Sequence, residues 1–277
     1  MNFKWLNVIA LVGALAWMGC KSDPTPQPGP EETSPSVATG AGETTGAQKE
    51  EPAATPAAAA DEAVATYGAL RAIFHQGQTG SQVKLSSVAD PHLHAVGALS
   101  ESRGEITALD GTIWLASPDG EGGIRVEHAE QSDEEAMLLV TAKVESWRRV
   151  PIEEDIPRGS IDEKLEGLLE AHGVDMAQAT PIRIEGPLEN LEWHVLDGSK
   201  AGDKPVTSHA DHQRMSIQGS VPQAEGTLVG FFSKQHHGVF THMGSNSHLH
   251  VVLSEKGISG HVDGVDIKKG SVLLLPQ

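Results

Sequence analysis

The chain carries three histidines in a short C-terminal stretch, Ser247-His248-Leu249-His250-Val251-Val252-Leu253 followed by Ser259-Gly260-His261-Val262. Side chains alternate across a strand, so His248 and His250 leave the same face. The polar Ser254-Glu255-Lys256-Gly257 between the two runs reads as a hairpin turn. With those residues as the loop, Leu253 pairs with Ile258 and His250 falls opposite His261. Leu249 and Val262 then share the other, apolar face. A one-residue slip would mix the two faces, which selects this register. Three imidazoles converging from two paired strands form a ligand set for a divalent metal, with a position left open for water or substrate. Zn2+ is expected, and another divalent transition metal with a preference for nitrogen would also fit. The competing reading is a set of surface histidines in a chain that has 14 of them.

The elements that must position this hairpin are legible in part. Ile106–Leu109, Asp110-Gly111 and Thr112–Leu115 read as a two-residue hairpin. Apolar spacing at Tyr67, Leu70, Ile73 and Phe74 predicts a helix. Ala136–Val144 predicts a buried strand. Ser160 with Glu163 predicts a capping box at the start of a helix whose apolar face is Leu165, Leu168 and Leu169. Thr180–Glu185 and Gly226–Phe232 read as further strands. The expected fold class is α/β in the mixed α+β sense: two closely packed, sheet-dominated halves with a few helices and the metal site on a C-terminal β-hairpin.

Ahead of this domain, residues 1–20 read as an export signal of lipoprotein type. Met1-Asn2-Phe3-Lys4 is basic, Val8 to Met18 is apolar, and Gly19-Cys20 follows with the only cysteine. Residues 21–62, rich in Pro, Thr, Ala and Glu, lack the apolar surface to order themselves and read as a tether. Residues 63–277 are the folded domain. The expected location is therefore the cell envelope, anchored by a lipid on Cys20. With 38 acidic against 20 basic residues the formal charge is −18, which argues against nucleic acid as a partner and against a membrane contact other than that lipid.

Several segments together resemble the bacterial α-acetolactate decarboxylases. Glu225-Gly226-Thr227-Leu228-Val229-Gly230-Phe231-Phe232-Ser233, then Ser247-His248-Leu249-His250 and Gly260-His261-Val262, look like the C-terminal half of that family. Gly97-Ala98-Leu99 through Gly104-Glu105, Leu109–Trp114 and Pro181-Ile182-Arg183-Ile184-Glu185-Gly186 resemble its upstream segments, so the likeness spans roughly Tyr67 to Gln277. The resemblance implies metal-dependent decarboxylation of 2-acetolactate to acetoin and CO2, the metal stabilising an enediolate. It matches His248, His250 and His261 to the metal ligands, Glu105 to an active-site carboxylate that relays a proton, and Arg183 to the arginine that holds the substrate. The implied partner is a small 2-hydroxy-3-oxo acid, and a homodimer is the expected assembly.

The sequence also departs from the family pattern. Ala98 stands for an active-site threonine, Ser102-Arg103-Gly104 replaces Leu-Asp-Gly, and no glutamate follows the last histidine-bearing strand as in the family's tail. Glu101, Glu185 or a partner subunit are the candidates to replace that glutamate. His92, His94, His236, His237 and His242 have no family counterpart, and His92 with His94 could form a second metal pair. These departures keep a second reading open, a non-catalytic metal- or small-acid-binding lipoprotein on the same fold. A hydrolase using metal-bound hydroxide is the third, and no general base beside a nucleophile supports it.

Overall fold

The computed structural model describes residues 64–200 and 214–277. The expected signal, Cys20 and the tether lie outside these residues. Among the described residues, thirteen strands form two antiparallel sheets. The first contains β1 (Val64–Tyr67), β2 (Val83–Lys84), β3 (Leu93–Leu99), β4 (Glu105–Leu109), β5 (Thr112–Pro118), β6 (Ile124–Ala129) and β7 (Glu135–Lys143), in the order β1-β7-β3-β4-β5-β6 with β2 on β7. The second contains β8 (Trp147–Pro151), β9 (Thr180–Leu196), β10 (Ser216–Phe232), β11 (Ser247–Leu253), β12 (Ile258–Ile267) and β13 (Val272–Pro276), in the order β10-β11-β12-β9-β13-β8. Strands β10 and β9 also pair with each other, from Phe232 opposite Thr180 to Ser216 opposite Leu196. Among the described residues there are also two α-helices, α1 (Leu70–Gln76) and α2 (Ile161–Ala171). The sheet-dominated mixed architecture is the one expected.

Alternation along each strand sorts residues into layers. On β4, Ile106 and Ala108 join an apolar cluster with Leu93, Ala95 and Ile113. The other parity, Glu105 and Thr107, makes its contacts with β9, β11 and β12 of the second sheet. Val96 of β3, Val140 of β7 and Val229 and Phe231 of β10 pack in the layer between the sheets. The far face of the second sheet packs Ile182, Ile184, Leu249, Val251 and Leu253 against Leu165 and Leu169 of α2.

The β4–β5 turn is the expected Asp-Gly hairpin, with Asp110 at φ 48° and Gly111 at φ 76°, the pair of left-handed residues such a turn needs. Three local expectations differ. Tyr67 ends β1, which pairs with β7, so the helix begins only at Leu70 after Gly68 turns the chain at φ 77°. Ser160 is the N-cap of α2 but makes no capping bond, because its hydroxyl donates to the Pro157 carbonyl instead. The strand predicted over Thr180–Glu185 runs on to Leu196.

Candidate metal centre

The hairpin register is the one the sequence dictates: His250 opposite His261 and Leu253 opposite Ile258, closed by Gly257 at φ 62°. The side-chain nitrogens of His248, His250 and His261 lie within 4.8 Å of one another. Their ring centroids are 5.0 to 5.4 Å apart. His250 is fully buried and His248 nearly so, while His261 reaches partly into the open.

The two buried rings each have one nitrogen left bare. Nε2 of His250 and Nδ1 of His248 are buried with no hydrogen-bond partner. Nδ1 of His250 lies 3.0 Å from the Thr107 hydroxyl, and the Phe240 carbonyl meets the ring of His248. Burial, reinforced by neighbouring imidazoles, pushes His248 down to about 3 and holds His250 and His261 well below the usual histidine range. Neutral rings with unshared nitrogen lone pairs, packed where water cannot satisfy them, are what a metal ligand set requires. The residues therefore fit a divalent ion, and the cluster could hold one.

Glu105 opens β4 at 4% exposure, with Oε2 3.7 Å from Nε2 of His250. Burial raises its pKa to about 8, opposed by His194 and by the Leu196 amide, which donates to Oε1 over 3.4 Å. A cation among the histidines would favour the ionised form. Glu105 and the histidines thus meet across the two sheets.

Arg183 does not join them. Its guanidinium is taken by Asp110, at 2.8 Å on the Asp-Gly turn, and by Glu185. No described contact connects it to the three histidines. It shares a sheet face with His250, but Val229 of β10 stands between them in the ladder. Glu185 is bound to Arg149 as well, and Glu101 is exposed beside Thr79, so neither supplies a second carboxylate to the histidines. His92 is exposed and His94 is buried with Nε2 donating to the Gly230 carbonyl, so the pair converges on nothing and forms no metal site.

The residue missed in the sequence is His194. It pairs with His261 across β9 and β12, their rings 4.7 Å apart, and its Nδ1 is 2.8 Å from Asp263. Burial works against its charged form, but the Asp263 bond and the nearby Glu105 outweigh it and the pKa rises. Alternation from Ile182 and Ile184 would send His194 into the apolar core. Asn190, at φ 50°, breaks that parity: Leu188 faces the core before it, and Leu191, Trp193 and Val195 after it. This left-handed asparagine was the only local signal.

Glu105, His194, His248 and His261 line a cavity of about 50 Å3, walled by Phe74 and Ala98. Ala98, where the family has threonine, thus makes an apolar wall. Beside it, a cleft of about 840 Å3 reaches His261 and Asp263 and is bordered by Arg71 and Met243. The arrangement offers a Lewis-acid position, a buried carboxyl group and an imidazole backed by a carboxylate, opening toward solvent on one side.

The comparisons with known proteins agree with this geometry. The family described as alpha-acetolactate decarboxylase matches residues 66–275. Among solved structures, the α-acetolactate decarboxylase of Bacillus subtilis strain 168 is similar at a TM-score of 0.62 and 16% identity, covering 76% of this chain and 84% of that one. A Staphylococcus aureus protein of unknown function, itself similar to α-acetolactate decarboxylase, gives a TM-score of 0.60 at 17% identity, covering 76% and 84%. The acetolactate decarboxylase of Bacillus subtilis subspecies spizizenii gives 0.61 at 16%, covering 76% and 85%. No curated protein sequence matches. These structures establish the shared fold, and the match over most of the domain shows that the chain belongs to the α-acetolactate decarboxylase family.

Proposed function

We propose that the domain decarboxylates 2-acetolactate, or a close 2-hydroxy-3-oxo acid, to the corresponding acyloin and CO2. One observation carries the reading: Glu105 from one sheet and three neutral imidazoles from the other line one buried site in a chain of this family. Zn2+ is the ion we assign to His248, His250 and His261, on the nitrogen-only donor set. When bound, it supplies a Lewis acid for the oxygen that gains electron density as CO2 leaves.

The chain's own residues do the rest. The bond between the carboxyl carbon and the hydroxyl-bearing carbon breaks, and its electron pair moves toward the ketone, whose oxygen takes the negative charge. Glu105, ionised beside a bound cation, takes the substrate's hydroxyl proton and delivers it to the carbon that carried the carboxylate; the ketone re-forms, and water supplies the proton that restores the hydroxyl. His194, held by Asp263, takes the orienting role that the resemblance assigned to Arg183, by hydrogen bonding to the substrate carboxylate. The apolar wall of Phe74 and Ala98 keeps water from the reacting carbon. Export, a lipid on Cys20 and a homodimer remain part of the proposal.

A second reading has an observation in its favour. Among the described residues, Glu105 is the sole carboxylate lining the inner cavity, which would suit a binding protein without turnover. The full chain, loaded with Zn2+ and given racemic 2-acetolactate, separates the two. Acetoin and CO2 should form, Glu105→Gln should slow turnover ~10²- to 10⁴-fold, and His250→Ala should lose the metal. Bound metal without acetoin would refute the decarboxylase reading.

A further inference from the structure

Sequence alternation puts Thr107 on the same face of β4 as Glu105, two residues further along. Its side chain crosses to the second sheet, where its hydroxyl lies 3.0 Å from Nδ1 of His250. Ser259 of β12 donates to the same hydroxyl oxygen over 3.2 Å. Thr107 and His250 are fully buried and Ser259 nearly so, which leaves no solvent to take over these bonds.

The direction of the central bond follows from the ligand role of the ring. A neutral imidazole carries one N–H, and Nε2 is the buried nitrogen with no hydrogen-bond partner. For Nε2 to offer its lone pair to a metal, Nδ1 must carry the proton. The Thr107 oxygen then accepts twice, from Nδ1–H and from Ser259, using both its lone pairs.

We propose that Thr107, steadied by Ser259, is the positioning residue that fixes the ring orientation and tautomer of His250 and so presents Nε2 to the metal. This rests on the assignment of His250 as a ligand, not on the identity of the substrate. Partners behind a metal-bound histidine commonly govern affinity as well as orientation. Here the partner comes from the opposite sheet, so the metal site and the packing of the two sheets are coupled.

The test uses the full chain and two readouts that do not require turnover. Zn2+ affinity is measured by competition with a chelator. The His250 tautomer is read from ring-15N histidine spectra, with the signal assigned by its loss in His250→Gln. Thr107→Val, which keeps the shape and removes the acceptor, should weaken Zn2+ about 10- to 100-fold. Thr107→Ser should restore affinity to within about threefold, since it returns the hydroxyl. The wild type without metal should show His250 protonated at Nδ1. Unchanged affinity in Thr107→Val, or a wild-type ring protonated at Nε2, would overturn the proposal. Should Thr107→Val fail to fold, Ser259→Ala with the wild-type spectrum decides, an affinity equal to wild type counting against it. Failure to form acetoin with both readouts as expected would refute the decarboxylase reading alone.

Discussion

His94 offers a prediction whose size follows from its surroundings. The ring is 1% exposed, packed between Trp147 and Phe231, with Nε2 donating to the Gly230 carbonyl and Nδ1 without a partner. Burial, with Arg183 adding repulsion, lowers its pKa from 6.5 to about 4. The unfolded chain therefore binds a proton that the folded protein refuses throughout the interval between those values. The stabilisation from a neutral His94 is present above pH 6.5 and lost as the pH falls toward 4. Linkage over this shift makes the folded state about 2 kcal/mol less stable at pH 5 than at pH 7. His94→Gln keeps a donor for Gly230 and removes the titration. Urea unfolding of both proteins at the two pH values, with chelator present throughout, isolates the difference. The wild type should lose about 2 kcal/mol more than the variant on acidification. An equal loss in both would refute the account of His94 as a buried neutral ring.

Two further substitutions test the frame of the site. Arg183→Ala should leave KM and kcat within about twofold and cost about 1 kcal/mol in stability, because Asp110 is exposed and Glu185 retains Arg149; a large rise in KM, measured by acetoin formation, would return Arg183 to the substrate. Asn190→Ala should destabilise by about 1–2 kcal/mol and Asn190→Gly by less, since alanine resists the left-handed backbone at φ 50°. Thermal unfolding gives the order, and equal losses in the two variants would show that the Asn190–Asp266 hydrogen bond, which both remove, sets the cost and not the backbone.

Much of the candidate metal centre was legible because it is local. Period-two alternation, a four-residue polar turn and the need to keep apolar residues on one side leave one register for the β11–β12 hairpin, and the three histidines follow from it. The Asp110-Gly111 hairpin was readable for the same reason, since its turn demands two left-handed residues. The capping bond of Ser160 and the early helix start at Tyr67 were local expectations too, and each lost to a competing partner: the Pro157 carbonyl in one case, β7 in the other.

Glu105 and Arg183 were singled out by resemblance, and alternation alone could not say what either would face. Packing the first sheet on the second decided both. It set Glu105 and Thr107 against His250, and it left Arg183 on Asp110, 73 residues away in the chain. His194 was invisible because its side depends on Asn190, where one left-handed residue reverses the parity of a 17-residue strand. The sequence by itself determined the three-histidine hairpin, because turn chemistry and the two-residue period act within a few residues. Only the tertiary structure decided the neighbours of that hairpin, because they come from other strands whose approach is set by the layer of side chains between the sheets.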